Sequence, residues 1–167
     1  REVREGVSFL EMCRDVERAV TVSLQPIDLL GSEAVILFQD IFTPIPALGV
    51  DVDFAPGPVI AEPLRTRAQI DALRSPDPRE SVPFVFEILR TLRSELAARE
   101  IPLIGFAGAP FTLASYAIEG GPSSNYARTK ALMYGEPDAW HRLADTFATV
   151  VADYLRAQIE AGVHAVQ

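Results

Sequence analysis

The chain has 167 residues, of which 49% are hydrophobic and 23% are charged, and its formal net charge at pH 7 is −8. This size is sufficient for one compact domain with a substantial core, and the composition is that of neither a disordered nor a membrane protein. The negative charge argues against nonspecific binding to nucleic acid or to anionic membranes. No apolar run approaches the roughly 20 residues that a membrane span needs.

Cys13 is the only cysteine, which excludes an internal disulfide and a cysteine metal cluster and fits a cytoplasmic location. No signal peptide opens the chain. Because it begins at Arg1 without an initiator methionine and ends at Gln167 within a predicted strand, we expect it to be an excerpt from a longer protein.

Two helices are predicted at the N-terminal end. The first covers residues 8–14, with Ser8 as the N-cap and Glu11 completing a capping box. The second begins near Asp15 and has apolar residues at helical spacing along one face. Pro26 falls within this pattern, so we expect it to kink the helix or to end it early.

A continuous apolar segment, residues 34–38, leads to Asp40 and is followed by a loop with two prolines and a glycine. A segment that is apolar at every position is typical of a strand buried on both faces, as in a parallel sheet. Asp40 would then lie at the C-terminal end of that strand, where α/β folds bind their ligands. The alternative is that Asp40 caps the following turn, and the pattern alone favours neither interpretation.

Residues 50–54 alternate between apolar and acidic side chains, and prolines and a glycine follow, which predicts a small β-arm. Asp51 and Asp53 are interpreted as the solvated face of this arm, because the Asp-rich pattern of a calcium loop is absent. A short helix is predicted at residues 67–73 and a long helix at residues 80–98, whose apolar side chains form one stripe.

The C-terminal part continues the alternation of strands and helices. A second buried strand is predicted at residues 101–108, and a helix begins at Pro110. Helices at residues 126–133 and 137–161 precede a third strand that starts at Val163. The last helix is predicted to bury five side chains, which are Leu143, Phe147, Val150, Tyr154 and Ile159. His141 is expected at the surface and His164 in a structural role.

The repeated order of strand, helix and strand indicates parallel pairing through right-handed crossovers. Both a (β/α)8 barrel and a doubly wound sheet satisfy this order. A barrel has eight strands and typically ~250 residues, whereas about three strands are predicted here. The chain therefore contains less than half of a closed barrel.

Three segments together resemble the uroporphyrinogen decarboxylase family. The first is Leu-Phe-Gln-Asp-Ile at residues 37–41, followed by Pro-Ala-Leu-Gly at residues 46–49. The second is Pro-Leu-Ile-Gly-Phe-Ala-Gly-Ala-Pro-Phe-Thr-Leu at residues 102–113, and the third is Tyr-Ala-Ile-Glu-Gly-Gly at residues 116–121. The resemblance covers essentially the whole chain.

This resemblance implies an α/β fold of the (β/α)8 TIM-barrel family. Residues 1–167 would form a single domain truncated at both ends, with about three parallel strands, covering helices and the β-arm. It also implies that the acetate side chains of uroporphyrinogen III are decarboxylated to give coproporphyrinogen III in heme biosynthesis, with no cofactor and no metal. The expected partner is the tetrapyrrole substrate, with no nucleic acid and no membrane, and the intact enzyme is expected to be a cytoplasmic homodimer.

The resemblance also assigns roles to individual residues. Asp40 would bind the pyrrole N–H groups, and Tyr116 would be the catalytic hydroxyl beside it, although the residues alone favour a helix tyrosine with a buried ring and a solvated tip. Six residues would contact the substrate, namely Arg4, Phe38, Ile41, Phe42, Phe106 and Gly108. The sequence departs from the family in three respects. The family often has serine at the position of Gln39. The family's arginine motif, expected just before Arg1, is missing, and the later serine and histidine that complete the family's site are expected beyond Gln167.

Two alternative functions remain open at this stage. One is a zinc-dependent corrinoid or thiol methyltransferase on the same barrel, which would need zinc ligands that the lone Cys13 does not supply. The other is that the chain, as it stands, is an inactive fragment, since three strands leave apolar sheet edges uncovered.

Overall fold

The computed structural model describes residues 3, 5–54 and 57–167. These residues form two compact units. The first unit comprises Arg1–Ile41, Pro78–Ala107 and Tyr154–Gln167, and the second comprises Phe42–Asp77 and Gly108–Asp153. The expectation that residues 1–167 form a single domain stays a prediction.

The first unit contains a parallel sheet and its helices. Its helices are α1 (Phe9–Arg14), α2 (Val16–Leu30), α4 (Pro78–Ser81), α5 (Pro83–Leu96) and the end of α8 (Pro137–Glu160). Its strands are β1 (Val35–Ile36), β4 (Leu103–Gly105) and β5 (Ala165–Val166), and a 3-10 turn covers Ala97–Arg99. The sheet order is β1-β4-β5, with Val35 opposite Leu103 and Ile104 opposite Ala165. The predicted parallel pairing is confirmed.

The second unit contains the β-arm and the remaining helices. The arm pairs β2 (Asp53–Phe54) with β3 (Pro58–Val59) in the antiparallel sense, as predicted. The helices are α3 (Arg67–Asp71), α6 (Pro110–Glu119), α7 (Ala127–Gly135) and the larger part of α8, and a 3-10 turn covers Pro46–Leu48. Among the helices that the structure describes, none combines the length and the hydrophobicity needed to cross a lipid bilayer.

Only one face of β1 is covered within the described part of the chain, so the prediction of burial on both faces is wrong. Val35 and Leu37 are 1% and 2% exposed, whereas Ile36, between them, is 60% exposed. The buried face packs against apolar side chains of α2, α5 and α8. The side chain of Ile36 points to the opposite face of the strand, where these helices do not reach.

The core of the first unit depends mainly on α5. Its predicted apolar stripe is confirmed, since Val85, Leu89, Leu92 and Leu96 are all fully buried. Each such side chain contributes about 1.5–3 kcal/mol relative to an exposed position. The predicted helix at residues 80–98 is nevertheless two helices, because Val82 leaves the helical region with φ −134° and ψ 54°. The ring of the proline that follows disfavours helical backbone at Val82.

The helix ends in the N-terminal segment follow the sequence closely. The Ser8 and Glu11 capping box is present at the start of α1. Asp15 caps α2, which ends at Gly31 in the left-handed conformation with φ 67°. Pro26 does not end α2 early, since the helix continues to Leu30. Pro26 is exposed, and the packed face of α2 continues past it to Ile27.

Candidate active site

Asp40 lies in the chain segment that leaves the C-terminal end of β1. The ladder with β4 continues to Leu37, whose N–H donates to the carbonyl of Ile104 at 3.1 Å. Beyond that bond the backbone leaves the sheet and turns at Ile41. Asp40 is partly exposed, so its carboxylate can reach both solvent and the packed residues below it.

Two ionisable side chains of the first unit lie close to Asp40. The pKa of Cys13 is raised to about 12, first by burial and then by the negative charge of Asp40, while a hydrogen bond from the backbone of Asp40 acts in the opposite direction. The pKa of Tyr154 is also raised, first by burial and then by the charges of Asp40 and Cys13. The carboxylate of Asp40 therefore lies near two buried side chains that keep their protons at neutral pH.

Gln39 attaches this turn to the end of α1. Its side-chain nitrogen Nε2 donates a hydrogen bond to the carbonyl oxygen of Cys13. The last carbonyls of a helix lack partners within the helix, so this bond satisfies one of them and also restrains the residue before Asp40. A shorter side chain such as serine could not reach Cys13 in the same way.

Phe38 and Phe106 line the same cavity of the first unit. The cavity has a volume of about 410 Å³ and extends along β1, where Ile36 and Gln39 also line it. The ring of Phe38 packs edge-on against Phe9, with ring centroids 6.0 Å apart. The structure thus brings together two of the predicted substrate-contacting residues.

Side chains from helices hold the backbone of both aromatic residues. The hydroxyl of Ser23, on α2, accepts a hydrogen bond from the N–H of Phe38 at 2.9 Å and donates to the carbonyl of Ala19 at 2.7 Å. The amide of Gln158, on α8, accepts from the N–H of Phe106 at 2.9 Å and donates to its carbonyl at 2.8 Å. Sequence reasoning did not identify either residue.

The signal for Gln158 is its position in the inward stripe of α8. Leu143, Phe147 and Tyr154 are buried as predicted, but Ile159 is 53% exposed, so its predicted burial is wrong. Four residues after Tyr154, one helical turn on, the inward position belongs to Gln158, which is fully buried. A polar side chain in a buried stripe is uncommon unless hydrogen bonds hold it.

The remaining predicted site residues belong to the second unit. Phe42 is 4% exposed, and its ring packs edge-on against Tyr116 with centroids 5.0 Å apart. Phe42 also contacts Phe54 of the arm, at 6.0 Å. Tyr116 is partly exposed, and Gly108 is buried just before α6. Ile41, at the end of the first unit, is partly exposed, and Arg4 lies outside the described residues.

The Glu-Gly-Gly segment at the end of α6 has a structural role. Glu119 accepts hydrogen bonds from the N–H and the hydroxyl of Thr129, at 2.9 and 3.0 Å, and so caps the first turn of α7. Gly120 ends α6 in the left-handed region with φ 89°, and its N–H donates to the carbonyl of Tyr116. A Cβ on Gly120 would lie 3.0 Å from Pro63. These contacts hold the end of the helix that carries Tyr116.

Neither histidine belongs to a metal cluster in the described part of the chain. There, no group of three or more His, Cys, Asp or Glu side chains is arranged to hold a metal ion. His164 accepts a hydrogen bond from the N–H of Leu103 at its Nδ1 atom, at 2.9 Å, so its predicted structural role is confirmed. His141 is exposed, as predicted.

Comparison with protein families gives a match that covers the whole chain. The family model for uroporphyrinogen decarboxylase (URO-D) matches residues 1–167. The chain belongs to the uroporphyrinogen decarboxylase family. This result confirms the resemblance that the motifs around Asp40 and Phe106 indicate.

Individual relatives carry the same family name. The chain is 53% identical to the uroporphyrinogen decarboxylase of Salinispora tropica, and the match covers 100% of this chain and 45% of the relative. It is 51% identical to the enzyme of Streptomyces griseus, over 99% of this chain and 45% of the relative. It is 48% identical to the enzyme of Citrifermentans bemidjiense, over 99% of this chain and 48% of the relative. The chain therefore spans about half the length of these uroporphyrinogen decarboxylases.

A solved structure supports the fold class. A methyltransferase from Methanosarcina mazei superposes with a TM-score of 0.80 over 99% of this chain and 49% of its own, at 18% sequence identity. At that identity the likeness concerns the fold alone. Together with the uroporphyrinogen decarboxylase family match and the three parallel strands, it confirms the predicted fold class, an incomplete (β/α)8 barrel.

Proposed function

We propose that the protein to which these residues belong removes the acetate carboxyl groups of uroporphyrinogen III to give coproporphyrinogen III, and that Asp40 is its central catalytic residue. The observation that carries this proposal is the family match over residues 1–167, which includes the motif around Asp40. The position of Asp40 beyond the C-terminal end of β1 supports it, because barrel enzymes place their chemistry at that end of the strands.

The reaction needs a sink for the electrons of the bond that breaks. Protonation of a pyrrole ring carbon creates a cationic imine, and the electrons of the bond to CO₂ then flow into the ring. A proton adds to the methylene carbon that is left, which becomes a methyl group, and the ring carbon loses its added proton. The substrate therefore serves as its own electron sink, and the proposed reaction uses no cofactor.

Asp40 suits the two demands of this chemistry. An ionised carboxylate only accepts hydrogen bonds, which matches the converging N–H donors of the macrocycle. Its negative charge stabilises the developing cation more than the neutral ground state, and this difference lowers the barrier. The bond from Gln39 to Cys13 restrains the turn, so that little reorganisation is needed when the charge develops.

The other predicted site residues have supporting roles in this proposal. Tyr116 orients an acetate group through its hydroxyl, and Arg4 attracts a substrate carboxylate. The N–H of Gly108 faces the macrocycle. The apolar wall of the cleft consists of Phe38, Ile41, Phe42 and Phe106. We also propose that the intact enzyme is a cytoplasmic homodimer, which sedimentation of the purified protein would test.

Substitution of Asp40 tests the proposal. The assay uses the full reading frame that encodes these residues and measures coproporphyrin after oxidation of the product. We expect Asp40→Asn to lose about a hundredfold or more in kcat, because the amide keeps the shape but not the charge. Asp51→Asn makes the same change on an exposed residue and is expected to leave turnover unchanged. Near-normal turnover by Asp40→Asn would overturn the role of Asp40, and an inactive unsubstituted protein would overturn the function.

A further inference from the structure

The hydrogen bonds between Gln158 and Phe106 occupy positions that a neighbouring strand would normally fill. Along β4 and the residue before it, the carbonyls of Pro102 and Ile104 accept hydrogen bonds from the N–H groups of Val35 and Leu37, on β1 and just after it. Because alternate residues of a strand direct their main-chain groups to the same side, Phe106 also faces β1. Its N–H and carbonyl bond instead to the side chain of Gln158.

On the other side of β4, the ladder does not stop at this point. Gln167 donates its N–H to the carbonyl of Gly105 and accepts from the N–H of Ala107, at 3.1 and 3.0 Å. On the β1 side, Phe38 has already turned its N–H to Ser23. β1 and β4 therefore separate beyond Leu37. The carboxamide of Gln158 fills the gap, since it offers one acceptor and one donor group as a peptide unit does.

Gly105 gives Gln158 its path to the gap. A Cβ on Gly105 would lie 2.1 Å from Oε1 of Gln158 and 3.2 Å from its Cδ. No side chain can therefore be added there while Gln158 keeps its place. Gln158 is itself fully buried, and its amide is satisfied by the two bonds to Phe106.

We infer that Gln158 is a positioning residue, which holds the backbone of Phe106 so that its ring forms a fixed wall of the substrate cleft. This inference rests on the function proposed above. Phe106 lines the cavity of about 410 Å³ together with Phe38, and neither ring carries a reacting group. Such a wall contacts the macrocycle in the ground state and in the transition state alike. Loss of its position therefore raises KM and leaves kcat nearly unchanged.

The test compares Gln158→Met with the unsubstituted full-length enzyme. Methionine keeps the approximate length and volume of the side chain but removes its amide hydrogen bonds. We expect KM for uroporphyrinogen to rise roughly ten- to a hundredfold, with kcat within about twofold. In a Phe106→Ala background, Gln158→Met should raise KM no further, because the group that it positions is absent.

Ile70→Ala is the control for a merely structural effect. Ile70 is buried on α3, outside the hydrophobic cluster against which Phe106 packs, so its truncation destabilises the protein and leaves the surroundings of Phe106 intact. It should lower the melting temperature and leave KM unchanged. An unchanged KM in Gln158→Met, or an undiminished rise in the Phe106→Ala background, would overturn the inference. An unsubstituted enzyme without decarboxylase activity would instead overturn the proposed function.

Discussion

The carboxylate of Glu119 accepts hydrogen bonds from both the N–H and the hydroxyl of Thr129, and Thr129 is fully buried. Glu119 belongs to the Tyr-Ala-Ile-Glu-Gly-Gly segment that resembles the family, yet its contacts are those of a helix cap. It connects the last turn of α6 to the first turn of α7. A residue in a family motif can thus stabilise the helix that carries a candidate site residue such as Tyr116.

Loss of the Glu119 carboxylate is therefore predicted to destabilise the protein. Glu119→Ala should cost about 1–3 kcal/mol, because it leaves a buried N–H and hydroxyl unsatisfied. Glu119→Gln keeps an acceptor oxygen but loses the charge at the helix N-terminus, and should cost less, about 0.3–1 kcal/mol. Urea unfolding of the full-length protein measures both. Glu62→Ala, at an exposed position, is the control, and equal stability of Glu119→Ala and Glu62→Ala would contradict the prediction.

A second prediction concerns the attachment of the Asp40 turn. Gln39→Leu removes the bond to the Cys13 carbonyl and should lower the free energy of unfolding by about 1–3 kcal/mol. It should also lower kcat, since Asp40 would be less well fixed. Gln25→Leu, at an exposed position on α2, is the matched control. Unfolding and turnover that are the same in both variants would show that the attachment is unimportant.

A third prediction follows from the close approach of Gly105 and Gln158. Gly105→Ala should destabilise the protein by about 1–3 kcal/mol, because the added methyl group collides with the amide. Gln158→Ala removes that amide. In a double-mutant cycle, the double variant should therefore be destabilised by about 1 kcal/mol or more less than the sum of the two single variants. Gly31→Ala, where a Cβ meets nothing within 4 Å, should be additive with Gln158→Ala. If the losses of stability from Gly105→Ala and Gln158→Ala were additive, the added methyl group would not collide with the amide.

A fourth prediction concerns alkaline pH. The pKa of Cys13 is raised from an ordinary value of 9.0 to about 12, so the folded state keeps its proton where the unfolded state loses it. The resulting stability is fully present below pH 9 and is lost as the pH rises towards about 12. The free energy of unfolding, measured in urea over this pH range, should therefore fall more steeply for the unsubstituted protein than for Cys13→Ala. A difference between the two proteins that does not change with pH would contradict the prediction.

The fifth prediction is that the 167-residue chain alone has no decarboxylase activity. It spans about half the length of its relatives, and Ile36 exposes 60% of its surface on the uncovered face of the sheet. Assay of the isolated chain beside the full reading frame, at equal concentration, decides the matter. Turnover by the isolated chain at a comparable rate would refute it.

Local chemistry explains which parts of the fold the sequence predicts well. The Ser8 capping box and the stripe of α5 depend on neighbouring residues, and both are found where predicted. The break at Val82 is also local, and the proline that follows is its signal. Pro83 lies within the helix predicted at residues 80–98, and its effect on the backbone of Val82 divides that segment into two helices.

Burial and side-chain roles depend on distant residues, and here the sequence predicts less. Ile36 is apolar like its neighbours, but its exposure depends on what covers the sheet. Gln158 acquires its role only through Gly105 and Phe106, which lie about fifty residues earlier in the chain. The roles of Asp40 and Tyr116 depend on the family motifs rather than on local chemistry, and they stay predictions.

The two hydrogen-bonding side chains at the strand ends also bear on how such a barrel can diversify. Ser23 and Gln158 satisfy the backbone of Phe38 and Phe106 from the helix layer. The strand ends therefore keep their hydrogen bonds whichever loop sequence follows them. Loops can be exchanged at these two points, by evolution or in engineering, while the scaffold beneath them is preserved.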